Sequence, residues 1–186
     1  MKESVEKRKP SGIVDYFSLA VTTFGVGYLP LAPGTYGSAV GVLVYLAAGW
    51  LGGTEGVFFV ERGFRLEQTS ALVYAEIGIL FTVFTLVGIW ASGRSISLLG
   101  NKDPSEAVVD EVIGQLITFM FVPFGISWPF VLAGFLLFRL FDIWKPYPID
   151  ALQILPGGIG VCADDILAGV YAGVCLAIGY AAFMML

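Results

Sequence analysis

From Leu29 to Thr54 the chain carries no charged residue, and three more such stretches follow. Leu72 to Ala91 is interrupted only by Glu76, no charge lies between Glu111 and Arg139, and none occurs from Ile166 to Leu186. Hydrophobic residues make up 57% of the chain and charged residues 13%, against roughly 45–50% and 25% in soluble domains. With a mean hydropathy of +0.84, there is too little charge to cover a water-exposed surface. The chain is therefore read as an integral membrane protein. The last stretch, about 21 residues at about 1.5 Å each, comes to about 31 Å and matches a hydrocarbon core of about 30 Å.

These stretches predict helices over Tyr36–Leu51, Leu72–Ala91 and Ile166–Leu186. Pro123, Gly125 and Pro129 break the third stretch, which then reads as a hairpin with arms Ser105–Val122 and Trp128–Trp144. The expected fold is an all-α polytopic membrane bundle of about four to five transmembrane helices. A short interfacial helix over Ile13–Thr23 precedes them. Asp15 interrupts that segment and no small-x-small site follows it, which argues against a cleaved signal peptide. Residues 1–10 read as a flexible charged tail, and residues 11–186 as one membrane domain. Gly37/Gly41 and Gly169/Gly173 have the spacing that lets helix backbones approach. Lys7, Arg8 and Lys9 place the N-terminus in the cytoplasm. Five crossings then bring every polar cluster to the cytoplasmic side and leave the 52–70 loop on the other.

The chain has no histidine, which excludes His-ligated zinc or haem, a Ser-His-Asp triad and a phosphohistidine intermediate. Cys162 and Cys175 form no CxxC pair and read as buried thiols. A net charge of −5 offers no basic nucleic-acid surface.

Four polar clusters remain. A Gly/Pro-rich run from Gly25 to Ser38 feeds the first span, and Asp110-Glu111 enters the hairpin. Arg139, Asp142 and Lys145 leave it at three-residue steps, which on a helix places them on one face. Gly157 to Asp165 opens the last span with Asp164-Asp165. Asp110, Glu111, Asp142, Asp164 and Asp165 all fall at one depth, where unneutralised acids are costly, and a bound cation is the natural remedy. Without histidine the ligands are hard oxygens, which select Mg²⁺ or Mn²⁺. The Pro33-Gly34-Thr35 turn offers backbone N–H groups at a helix start, where phosphate binds well. Blander roles stay open: Asp164 and Asp165 as helix caps, Arg139 as the ion-pair partner of Asp142.

The four runs together resemble the phosphatidylglycerophosphatase A family. They read GxGxxPxAPGTxGS at Gly25–Ser38, DExxG at Asp110–Gly114, FRxxDxxKPxPI at Phe138–Ile149 and GGxGxxxDDxxAG at Gly157–Gly169. Val109 stands where members often carry Trp, and Cys162 where Met is common. The resemblance implies a Mg²⁺-dependent phosphatase in a bacterial inner membrane, with its site facing the cytoplasm and phosphatidylglycerophosphate as substrate. The five carboxylates would serve as ligands of one or two Mg²⁺ or orient them. Arg139, Lys145 and the Pro33–Thr35 turn would hold the phosphate. The alternative is a small cation transporter or channel using the acidic cluster as its ion site. The lack of an internal repeat and the gathering of polar groups on one face speak against it. The sequence leaves homo-oligomerisation open.

Overall fold

The computed structural model describes residues 4–186, built from six α-helices. They are α1 (Ile13–Thr23), α2 (Pro33–Glu61), α3 (Leu66–Leu99), α4 (Val109–Phe119), α5 (Trp128–Trp144) and α6 (Gly157–Met184). Short 3₁₀ turns cover Val26–Tyr28 and Asp150–Ile154, and an isolated bridge pairs Ser4 with Asn101. Three helices, α2, α3 and α6, are long and apolar enough to cross a membrane.

Local chemistry explains most of the boundaries. Pro33 opens α2, where its missing N–H is no loss and its fixed φ suits a helix start. Pro129 does the same for α5. The α2 and α3 helices run well past the predicted ends at Leu51 and Leu72, so most of the expected 52–70 loop is helical. Charge at Glu55, Glu61 and Glu67 ends an apolar window but not a helix, and glycine costs a helix interior only about 1 kcal/mol. The break comes at Gly63, where φ is +88°. Arg65 then starts α3, its N–H donating to the Gln68 side chain at 3.0 Å.

The hairpin is asymmetric. The α5 helix has the bounds its sequence predicts, whereas α4 has 11 residues in place of the expected Ser105–Val122. At about 1.5 Å per residue it rises only about 16 Å, half a bilayer. Its start is set by the Val108 N–H, which donates to Thr22 O at 2.9 Å. Nine of its residues are buried, so this short helix is enclosed by protein, where a half-span is tolerated.

Glycines let α4 lie between its neighbours. A Cβ on Gly169 of α6 would collide with the Gly114 carbonyl, and one on Gly41 of α2 would stand 2.8 Å from Gln115 Cβ. Gly88 of α3 meets the Ile113 side chain in the same way. The outer surface is apolar, with Leu43, Leu80, Leu86, Leu136 and Ile178 all exposed, as expected of helices facing lipid.

The polar ends of the helices converge at one end of the bundle. Gly34 of α2 abuts Glu111 of α4 and Arg139 of α5, and Gly93 of α3 abuts Gly158 of α6. The charged segment before α1 lies there too: Val5 N–H donates to Gly100 O at 3.1 Å and Arg8 N–H to Ser97 O at 2.9 Å. The first three residues of the tail read as flexible fall outside the described residues.

Candidate metal and phosphate site

Asp110 and Glu111 occupy the first turn of α4, and Asp165 lies in the third turn of α6. The two helices meet through Gly114 and Gly169, and a Cβ on Gly114 would strike the Asp165 carbonyl and the Phe138 ring. That contact brings three carboxylates together. One oxygen from each of Asp110, Glu111 and Asp165 lies within 4.8 Å of the others. Asp110 is 8% exposed and Asp165 3%. Asp110 Oδ1 and Glu111 Oε2 are buried without a hydrogen-bond partner. Like charges held this close in a low dielectric repel strongly, and the unpartnered oxygens point to a cation. The donors are all hard oxygens, so the set fits a hard metal ion.

The five acids expected as ligands divide into two groups. Asp142 and Asp164 stand outside the trio and are bonded to basic side chains, although Asp164 Oδ1 is also buried without a partner. Arg139 Nη1 donates to Asp142 Oδ2 at 2.5 Å, one step along α5. Lys145 Nζ donates to Asp164 Oδ2 at 2.5 Å and lies 3.8 Å from Asp142 Oδ1. Lys145 caps α5 in the left-handed region at φ 47°, which turns its side chain toward α6. The predicted shared face of Arg139, Asp142 and Lys145 is thus an ion-pair ladder from α5 to α6.

At the start of α2, Pro33 has no N–H, and the Thr35 and Tyr36 N–H groups both donate to Ala32 O, at 3.0 and 3.2 Å. Of the three residues expected to cradle phosphate, Gly34 carries the backbone N–H outside these bonds. Any side chain at Gly34 would run into the Glu111 carboxylate and Arg139 Nη1. The position joins the α2 start to both the acids and the arginine.

Two residues given no role by sequence reasoning belong here. Ser38 lies one turn below Gly34, with Arg139 Nη1 3.5 Å from its hydroxyl. Gln153, from the turn between α5 and α6, donates through Nε2 to Asp164 Oδ2 at 2.8 Å. Ser38 was within reach of a sequence argument, since it closes the Gly25–Ser38 run. Gln153 carried no spacing signal.

Comparison with known proteins matches this site to a family. The phosphatidylglycerophosphatase A model covers residues 19–180. The chain belongs to the phosphatidylglycerophosphatase A family. A Haemophilus influenzae phosphatidylglycerophosphatase A is 31% identical, covering 88% of each chain. The Escherichia coli K12 phosphatidylglycerophosphatase A is 34% identical over 87% of this chain and 83% of its own. A Bacteroides thetaiotaomicron protein named "Putative phosphatidylinositol-3-phosphatase" is 38% identical over 84% of this chain and 89% of its own. No solved structure matches. The family region contains every residue of the trio, the ladder and the α2 start.

Proposed function

We propose that this protein is a Mg²⁺-dependent lipid phosphatase that converts phosphatidylglycerophosphate to phosphatidylglycerol and phosphate in glycerophospholipid synthesis. It would act in a bacterial inner membrane, with the polar end of the bundle in the cytoplasm. The observation that carries this reading is the buried Asp110–Glu111–Asp165 trio beside Arg139, in a chain of this family. The metal ligands would be those three acids. One oxygen from each lies within 4.8 Å of the other two, so the three could hold a single ion. When bound, the ion supplies charge neutralisation and makes water a better nucleophile.

The chain's own groups have distinct tasks. Arg139 meets the phosphate oxygens with a planar fork of donors, and its pair with Asp142 aims that fork. The Gly34 N–H adds a donor at the positive end of α2. Lys145 and Gln153 hold Asp164, and through it the head of α6. Hydrolysis joins the oxygen of water to phosphorus, breaks the bond from phosphorus to the terminal glycerol oxygen, and returns a proton to that oxygen. The acyl chains stay among the exposed leucines while the headgroup reaches the polar end. The transporter alternative gains no support, since the polar groups gather at one end.

The Bacteroides relative's name favours a second substrate reading, a phosphoinositide carrying a 3-phosphate. Both lipids present a phosphomonoester at the interface. Phosphate release from each lipid by detergent-purified protein, with Mg²⁺ and with EDTA, tests both readings beside Asp165→Asn. Mg²⁺-dependent release from phosphatidylglycerophosphate that collapses in the variant supports the proposal. Release only from phosphatidylinositol 3-phosphate would move the assignment, and release from neither would sink the enzyme reading.

A further inference from the structure

Among the described residues, Gln115 is the one long, fully buried polar side chain that the site described above leaves unused. It lies on α4 one turn beyond Glu111 and is fully buried. Neither Oε1 nor Nε2 has a hydrogen-bond partner. An amide buried this way without compensation is costly, and buried polar groups in native proteins are almost always satisfied.

The stem of Gln115 is pinned. A Cβ on Gly41 would stand 2.8 Å from its Cβ and 3.0 Å from its Cγ, so the α2 backbone lies directly on it. Gly37, one turn earlier on α2, lies against Val108 and the Glu111 Cβ. Residues four apart on a helix share a face, and long helical side chains lean toward the N-terminus. Gln115 and Glu111 therefore share a face of α4, and Glu111 Oε2 is itself buried and unpartnered. Two orphaned polar groups on one face, sealed by a glycine stripe, meet the condition for a buried water, which needs two to four polar partners.

We infer that Gln115 is a positioning residue of the acidic site: its amide holds a buried water that donates to Glu111 Oε2 and fixes that carboxylate toward Asp110 and Asp165. The inference rests on the metal-site reading above. It also assigns the Gly37/Gly41 pair a second task beyond helix packing, because the pair makes room for Glu111 and Gln115.

The test is Gln115→Met, which keeps the volume and removes the amide. Three quantities are read on the purified protein: Tm in EDTA, Mn²⁺ affinity by titration, and kcat and KM for phosphate release. We expect Tm in EDTA to hold or rise, because methionine fills the same space and leaves no amide to satisfy. Mn²⁺ affinity and kcat should each fall about 10-fold, the range typical of groups that orient metal ligands, with KM unchanged. A fall in Tm of several degrees in EDTA, or failure to fold, would show a structural partner and overturn the inference. So would unchanged Mn²⁺ affinity and kcat, or a rise in KM alone. If the wild-type protein binds Mn²⁺ but releases no phosphate, the phosphatase reading fails while the Mn²⁺ and Tm comparison still decides the role of Gln115.

Discussion

Asp15 and the Asp110–Glu111–Asp165 trio are both buried near the polar end of the bundle, and the protein treats them in opposite ways. Asp15 is fully buried, yet both of its oxygens are engaged. Arg8 reaches it at 2.5 and 2.8 Å, Arg94 at 2.8 Å and the Ser11 N–H at 2.9 Å. The trio has oxygens with no partner at all. A carboxylate supplied with two arginines from its own chain is a clasp: it ties the segment before α1 to the end of α3. Three carboxylates facing one another form a group that could hold a metal ion. Burial alone therefore does not mark a functional acid.

The largest test of that contrast is to neutralise one acid from each region. Asp165→Asn should lower phosphate release by about 10³-fold, the scale of losing a central electrostatic group, while Tm in EDTA holds or rises because repulsion is relieved. Asp15→Asn should do the reverse, lowering Tm and leaving the rate per folded molecule within about 2-fold. Activity assays paired with thermal unfolding check both. Similar loss of activity in the two variants would erase the distinction between clasp and site.

Metal addition separates the regions again. A ligand at about 100 times its Kd stabilises a protein by about 2.7 kcal/mol. Mg²⁺ should therefore raise the Tm of the wild type and of Asp15→Asn, and leave Asp165→Asn where it was. Arg139→Gln comes next, with a fall in kcat/KM of about 10- to 100-fold. Arg139→Lys should recover little of it, because a point charge does not reproduce the planar fork. Recovery by lysine would show that charge alone, not geometry, is what the site uses.

How much of this was legible in the sequence follows the range of the signals. The α5 helix was readable to the residue because its stops are local: Pro129 at the start, Lys145-Pro146 at the end. The α4 helix was read too long because hydropathy reports apolarity and cannot tell lipid from protein interior. The ends of α2 and α3 were read too short because charge ends an apolar window before it ends a helix. At the site, five acids looked equivalent because each is a carboxylate at one depth. Their division depends on contacts far apart in sequence, such as Gly114 with Gly169 and Lys145 with Asp164. The Arg139–Asp142 pair, three residues apart, was legible. Asp15 read only as an interruption in an apolar segment, since its partner Arg94 lies 79 residues away.

The smallest effect concerns pH. The two hydrogen bonds from Arg8, then the Ser11 N–H, hold the Asp15 carboxyl well below the usual carboxylate range, against the opposing pull of burial. An unperturbed Asp titrates near pH 3.9. Because the folded value is depressed, the clasp contributes its full stability above that pH and loses it only as pH falls further, through the folded value. The Tm gap in EDTA between wild type and Asp15→Asn should therefore be constant from about pH 8 to pH 5 and narrow below about pH 4. A gap that closed already near pH 6 would mean that Asp15 is not held by its arginines in the folded protein. The comparison between an acid satisfied by its own chain and three that are not would then lose its reference point.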